Sequence, residues 1–257
     1  MFPMTHSPAP TVAVILAAGM GVRLRALQSE LPKGLLTIGG VSLVPRSIEL
    51  LRQAGVTEIT LVTGWRAGAY ENFLAEKFPS VRCVHNPDFA TTGSMHSLFL
   101  TRGAVAGDFL LLESDLLYEP RALSRLLEVP RGDYVLLSGT TGQGDEVFAY
   151  ADTAGRLHTL TKKRREAEPA AGEFTGIGRI TAELFEKLCG HYAGLGGAAA
   201  GNYHYDDALT ALAPAHPISL LKVDDLVWCE IDDPAHHARA LNRVLPALNK
   251  ISHARSA

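Results

Sequence analysis

The chain has 257 residues, 47 % of them hydrophobic and 20 % charged, with a formal net charge of −3. That length and apolar content suffice for one large α/β domain with a substantial core, and the slightly acidic balance excludes the broad basic surface that coats nucleic acid. Three dispersed cysteines, Cys83, Cys189 and Cys229, form no C-x-x-C pair, which argues against a disulfide framework or zinc knuckle and fits a reducing, cytoplasmic setting.

Met1 to Pro10 carries three prolines and no apolar run, so residues 1–10 read as a disordered lead-in rather than a signal peptide. A single domain is expected over residues 11–250. The longest apolar runs, Val12 to Ala18 and Phe109 to Leu112, are too short to span a bilayer, and no membrane role is expected.

The stretch Val14 to Leu35, VILAAGMGVRLRALQSELPKGL, organises the rest. A buried strand, Val12 to Ala17, runs into Ala18-Gly19-Met20-Gly21, then two cations, Arg23 and Arg25, and Pro32-Lys33-Gly34. Small residues at a strand exit let backbone amides approach a bulky anion such as a nucleotide polyphosphate. Leu24 stands where the third glycine of the dinucleotide fingerprint belongs, and no G-x-x-x-x-G-K-[ST] occurs, so neither of those loops is present.

Beyond the loop, Gly39-Gly40 makes a turn, and Val44, Ile48, Leu51 and Ala54 recur at helical spacing. Strands follow at Ile59 to Thr63, Val81 to His85 and Phe109 to Glu113, alternating with helices at Tyr70 to Phe78 and Met95 to Leu100. This rhythm predicts βαβ units with right-handed crossovers: a Rossmann-like, three-layer α/β fold with a mostly parallel, mixed sheet. Ligands of such sheets sit outside the carboxyl ends of the strands, which places Gly19 and Asp115 in one crevice.

From Gly139 the rhythm changes. Val147 to Ala151 and Arg156 to Thr161, joined by Asp152-Thr153-Ala154-Gly155, read as a hairpin. With a strand at Gly172 to Ile180 it forms a small antiparallel, lid-like insertion over about 140–205. Lys162 to Glu166 is a solvated charged run or a source of a lysine, Lys162, for a phosphate. A helix covers Ala182 to Cys189, and the glycines and alanines of Gly190 to Gly201 suggest a mobile loop. Asp206 to Ala213 returns to helix. After the strand Trp228-Cys229-Glu230, Asp233 caps a closing helix, Ala235 to Lys250, whose first turn takes Pro234. His236-His237 on that helix reads as exposed.

Acidic residues fall at two strand exits. In Leu110-Leu111-Leu112-Glu113-Ser114-Asp115 the strand runs straight into anions, which a crevice already holding phosphates would repel unless a hard cation such as Mg²⁺ joined them; the alternative is capping of the next helix. Glu230 and Asp232, two apart, face one side, and Asp233 faces another.

LAAGMGVRL followed by LPKGLL resembles the signature of the nucleoside-diphosphate-sugar pyrophosphorylase fold, the nucleotidyltransferases that use phosphate-bearing acceptors. The resemblance implies a nucleotide lying on Leu16, Ala17, Ala18, Gly19, Met20 and Gly21, Arg23 on the leaving phosphates, and Lys33 on the α phosphate and acceptor. It also implies a metal held by Asp115 with Glu230 or Asp232. Asn86 with Thr92-Gly93-Ser94-Met95-His96, and LLESDL, are similar to the cytidylyltransferases of phosphocholine and aminoethylphosphonate, with Asn86, Thr92, Gly93 and Ser94 near the base; His96 departs from the tyrosine usual there. Ser138-Gly139-Thr140, Gly144 to Val147, Thr161-Lys162-Lys163 and Gly172 to Ile177 extend the likeness, and Glu173 joins the acceptor set. No hexapeptide tail follows, unlike the bifunctional uridylyl/acetyl transferases.

An acceptor with an ammonium end needs carboxylates or aromatic faces, and Tyr203, Tyr205, Asp206 and Asp207 offer both unless they simply pack and cap. The implied reaction is Mg²⁺-dependent transfer of CMP from CTP to a small phosphonate or phosphate, with 2-aminoethylphosphonate favoured by the carboxylates. Phosphocholine, sugar-1-phosphate and inositol-phosphate acceptors remain as alternatives, as does a non-catalytic nucleotide-sensing subunit. A homodimer is left open.

Overall fold

The computed structural model describes residues 9–24 and 31–256. Arg25 and the first eight residues of the lead-in lie outside the described residues. The described chain runs β1 (Val12–Ala17), β2 (Thr37–Ile38), β3 (Val41–Ser42), α1 (Leu43–Gln53), β4 (Glu58–Thr63), α2 (Ala67–Lys77), β5 (Arg82–His85), α3 (Ser94–Leu100), β6 (Phe109–Glu113), β7 (Leu116–Tyr118), α4 (Arg121–Glu128) and β8 (Tyr134–Ser138). It continues through β9 (Phe148–Ala151), β10 (Leu157–Thr161), β11 (Gly172–Ile180), α5 (Ala182–Gly194), α6 (Tyr205–Leu212), β12 (Ser219–Val223), β13 (Trp228–Glu230), α7 (Pro234–Arg239) and α8 (Leu245–Ser256). None of the described helices is long and apolar enough to cross a membrane.

β1 is apolar throughout because both of its faces are covered. Ala13, Ile15 and Ala17 pack with Val44, Ile48 and Leu51 of α1, while Val14 and Leu16 pack with Met95 and Leu98 of α3 and Leu184 of α5 on the other face. Three layers result. β1 lies between β4 and β6, parallel to both, and β5 extends that side. On the other side β11 runs antiparallel to β6 through Ile177 to Ile180, and its opposite edge takes β8, which pairs parallel with β12.

The β9–β10 hairpin meets β11 at Gly172 and Glu173, so the antiparallel subregion is continuous with the main sheet. The register of β11 slips between Phe174 and Gly178. At this bulge Gly176 has φ +73°, and an added Cβ would lie 3.0 Å from the Glu113 carboxylate. The bulge therefore gives Glu113 room at the end of β6.

A third cluster, including Leu36, Ile38, Leu117, Cys229, Ile231 and Val244, seats β13 against β7. That pairing, with the Ile231 amide donating to the Asp115 carbonyl at 3.0 Å, sets the second acidic segment beside the first.

Most elements lie where the sequence puts them, with four differences. Gly190 to Gly194 is the last part of α5, not loop, because Cys189 and Tyr192 are buried and hold the helix to the sheet. Helix α2 begins at Ala67, three residues early, behind Arg66 in a left-handed conformation at φ 56°. The closing helix is broken by a π turn at Ala240–Val244. β7, α4, β8 and β12 carry no signal that the sequence reading separates from loop, yet β8 and β12 complete the sheet.

Candidate active site

The loop after β1 folds against the lysine segment. Gly21 takes φ +54°, and a Cβ there would come 3.3 Å from Lys33 Cβ, whereas Gly19 has open space around it. Pro32 is extended and introduces a 3₁₀ turn, Lys33–Leu35. Gly34 is needed for packing: its amide donates to Tyr70 Oη at 3.0 Å, and a Cβ would fall 2.5 Å from both Tyr70 Oη and Val44 Cγ2. Gly34→Ala is expected to destabilise the fold by about 1–3 kcal/mol, the usual cost of overpacking, with a matching drop in the urea midpoint.

Lys33 Nζ donates to Asp115 Oδ2 at 2.5 Å and also to Asp232 Oδ1, whose other oxygen meets Arg23 Nη2 at 2.6 Å. The two distant acidic segments are thus joined through the cations of the opening stretch. Burial opposes the Lys33 charge, but Asp115, Asp232 and Glu230 outweigh it and hold its pKa above the ordinary lysine value. Burial likewise opposes ionisation of Asp232, yet Lys33 and Arg23 keep it below the usual carboxylate range. Glu113 and Glu230 go the other way: burial first, then the neighbouring Asp115, pushes Glu113 up to about 8 and Glu230 up to about 10.

Among the described residues, carboxylate oxygens of Glu113, Asp115 and Glu230 lie within 4.8 Å of one another, as do those of Asp145, Glu230 and Asp232. Asp115 Oδ1 is buried with no hydrogen-bond partner. Hard oxygen donors in this number, with one unused and two whose ionisation is opposed by burial and then by neighbouring carboxylates, fit a magnesium-sized cation. Glu230 belongs to both groups, so Asp115 and Asp232 are linked through it as well as through Lys33.

These groups open into a cavity of about 490 Å³. Leu16, Ala18, Gly19, Met20, Gly21 and Arg23 line one part of it, and Asn86, Thr92, Gly93 and Ser94 line another. Ala17 does not; it points into the opposite core layer, as strand alternation requires. Asn86 organises its own segment, donating to Ser97 Oγ at 3.0 Å and accepting from the Asp88 amide at 2.9 Å. His96 is buried between Phe99 and Tyr192, outside the cavity lining.

The acceptor set divides. Lys162 and Asp206 line the cavity. Tyr203 is turned to His191, 3.0 Å from its Nε2. Tyr205 is buried and donates to Glu113 Oε1 at 2.8 Å, and Asp207 accepts from the His204 amide at the start of α6. These three orient neighbours rather than face the cavity. Glu173 is also withdrawn, accepting from the Thr141 amide and hydroxyl at 2.6 and 3.0 Å. His236 is buried, not exposed: its Nδ1 accepts from the Asp232 amide at 3.3 Å and Nε2 lies 3.6 Å from Asp145.

The expectation passed over Glu113, Ser114 and His204, all of which line the cavity. Glu113 was legible as the acidic last residue of the apolar strand, two residues before Asp115 in the turn that follows. His204 carries no sequence signal.

Burial pushes Glu173 up to about 7 from an ordinary 4.5, against the Thr141 hydrogen bonds. Folding therefore disfavours its ionised form: the fold is most stable below about pH 4.5 with respect to this group, and stability falls as pH rises toward about 7. Glu173→Gln is expected to gain on the wild type in urea midpoint across that window; parallel pH profiles would contradict this.

Residues 13–175 match the family model of the MobA-like NTP transferase domain. The chain is 31 % identical to a CMP-5'-(3-aminopropyl)phosphonate synthase of Streptomyces rubellomurinus over 255 residues, covering 94 % of this chain and 40 % of that protein. It is 31 % identical to the choline-phosphate cytidylyltransferase of Streptococcus pneumoniae over 107 residues, 42 % of this chain and 46 % of that one. The chain thus spans less than half the length of these curated relatives. Among solved structures, the inositol-1-phosphate CTP transferase of T. maritima superposes with TM-score 0.78 at 22 % identity, covering 95 % of this chain and 96 % of that one, which establishes the shared fold.

Proposed function

The chain belongs to the MobA-like NTP transferase domain family, and from that premise we propose that it transfers CMP from CTP to a small phosphonate or phosphate acceptor, 2-aminoethylphosphonate in the first instance. The observation that carries this reading is the junction of Lys33 and Arg23 with Asp115 and Asp232 at one end of a cavity. Relatives named as a CMP-aminopropylphosphonate synthase and as cytidylyltransferases of choline phosphate and 2-aminoethylphosphonate support the choice of base and acceptor class.

In this mechanism an anionic acceptor oxygen attacks the α phosphorus in line. The new O–P bond forms as the bond to the β phosphate breaks, and pyrophosphate leaves with the electron pair. The acceptor oxygen is already ionised, so no protein base is required, and catalysis rests on positioning and charge neutralisation. Lys33 turns from the carboxylates to the α phosphate and acceptor, and Arg23 turns to the departing pyrophosphate. Asp115, with Glu230 and Asp232, would hold Mg²⁺, which supplies charge neutralisation of phosphate oxygens when bound.

The amine is favoured over choline because the two aromatic side chains nearest Asp206 in sequence, Tyr203 and Tyr205, are committed to His191 and Glu113. Neither lines the cavity, whereas the Asp206 carboxylate does, so an ammonium there meets a hydrogen-bond acceptor before it meets either tyrosine ring.

One panel tests the reading: CTP, UTP and ATP, each with 2-aminoethylphosphonate, phosphocholine, inositol-1-phosphate and glucose-1-phosphate, followed by pyrophosphate release. CTP with the aminophosphonate is expected to give the highest kcat/KM. Preference for UTP or ATP would overturn the base, and preference for a sugar phosphate would overturn the acceptor.

A further inference from the structure

His204 stands where the nucleotide side of the cavity meets the acceptor side. It precedes α6, whose first turn carries Asp206, and its ring is held by the first residue of α3. Ser94 N–H donates to His204 Nδ1 at 3.4 Å, and Ser94 Oγ lies 3.1 Å from the same nitrogen. Ser94 Oγ in turn accepts from the Tyr205 amide at 3.2 Å, so its own hydrogen is available to His204. A backbone N–H can only donate. Nδ1 is therefore the acceptor, and the ring proton sits on Nε2.

The two segments around this ring are interlocked. Gly93 N–H donates to the Gly201 carbonyl at 3.1 Å and Met95 N–H to the Tyr203 carbonyl at 3.3 Å. A Cβ on Gly93 would lie 2.2 Å from the Tyr203 carbonyl oxygen, so the contact closes only with glycine there. The His204 ring is thereby fixed before any ligand arrives, which limits the ordering cost of using it.

The cavity wall around His204 is bipolar. Lys162 and Asp206 line it too, and both Lys162 and His204 lie close enough to Asp206 to oppose the effect of burial on its carboxyl. A fixed N–H donor and an ammonium therefore stand near one half-buried carboxylate. The matching ligand is a short zwitterion: an anionic group for the donors and a primary ammonium for the carboxylate.

We infer that His204 is an acceptor-contacting, specificity-determining residue whose Nε2–H donates to an anionic oxygen of a small zwitterionic acceptor beside Lys162, while Asp206 takes the ammonium end. This rests on the proposed cytidylyltransferase reading. His204 acts as a hydrogen-bond donor and moves no proton.

Two variants separate this role from a structural one. In His204→Asn the amide oxygen replaces Nδ1 and keeps the Ser94 contact, but nothing reaches the Nε2 position. In His204→Gln the amide reaches the Nε2 position and can donate there. With CTP and 2-aminoethylphosphonate, His204→Asn is expected to raise the acceptor KM about ten- to hundredfold, the range for a lost hydrogen bond to a charged group. Its KM for CTP and its Tm should stay close to the wild type, and His204→Gln should recover part of the acceptor KM. An unchanged acceptor KM in His204→Asn, or a parallel rise in the KM for CTP, would overturn the inference while wild-type turnover left the function reading standing. Absence of wild-type turnover with every NTP and acceptor of the panel would overturn that reading and this inference with it.

Discussion

Asp115→Asn is expected to lower turnover by about 10²- to 10³-fold, the usual effect of removing one group that stabilises transition-state charge. The substitution keeps size and shape and removes only the charge. Asp115 touches Lys33 through Oδ2 and leaves Oδ1 buried and unpartnered, so the neutral amide disturbs no second hydrogen bond. Lys33 retains Asp232, and the fold should survive. The test pairs pyrophosphate release at several Mg²⁺ concentrations with a thermal melt. Low activity with an unchanged melt supports the assignment, and wild-type activity would remove Asp115 from the metal and the chemistry together.

Lys33→Met tests the opposite charge and has a second consequence. The ammonium lies between the Asp115 and Asp232 carboxylates and neutralises both. Without it, Glu113, Asp115, Glu230 and Asp232 face one another with only the half-exposed Arg23 in contact with Asp232. Turnover should fall by about 10²- to 10³-fold, and stability by about 3 kcal/mol or more, the cost of breaking a buried pair from one side. Millimolar Mg²⁺ should raise the Tm of Lys33→Met more than that of the wild type, because a cation relieves the repulsion. Equal responses to Mg²⁺ would contradict a shared cation site, whatever the activity.

Local and strand-periodic features were legible in the sequence. The apolar run of β1, the bounds of β11 and the Asp233 cap with Pro234 follow from patterns that local physics enforces, and the structure has each of them. The residues alone marked two acidic strand exits; the pairing of Asp115 with Glu230 or Asp232 came from the family resemblance, and neither source pointed to Lys33 as a bridge between Asp115 and Asp232. What the sequence hides is which way a polar side chain turns. Glu173, Tyr203, Tyr205 and Asp207 have the right composition for an acceptor site, yet each is committed to a neighbour from another element or to the cap of its own helix. His236 reads as a solvated helix residue until the Asp145 loop and the Asp232 backbone close over it. Burial of this kind is set by segments far apart in sequence, and no periodicity encodes it.

The most direct measurement is the fate of label in CTP incubated with the wild-type chain, Mg²⁺ and 2-aminoethylphosphonate. If the α phosphorus is the site of attack, label at the α position enters the acceptor adduct, label at the γ position enters pyrophosphate, and both appear in equal amounts. Gamma label in the acceptor, or α label released as free CMP in the acceptor's presence, would contradict the account.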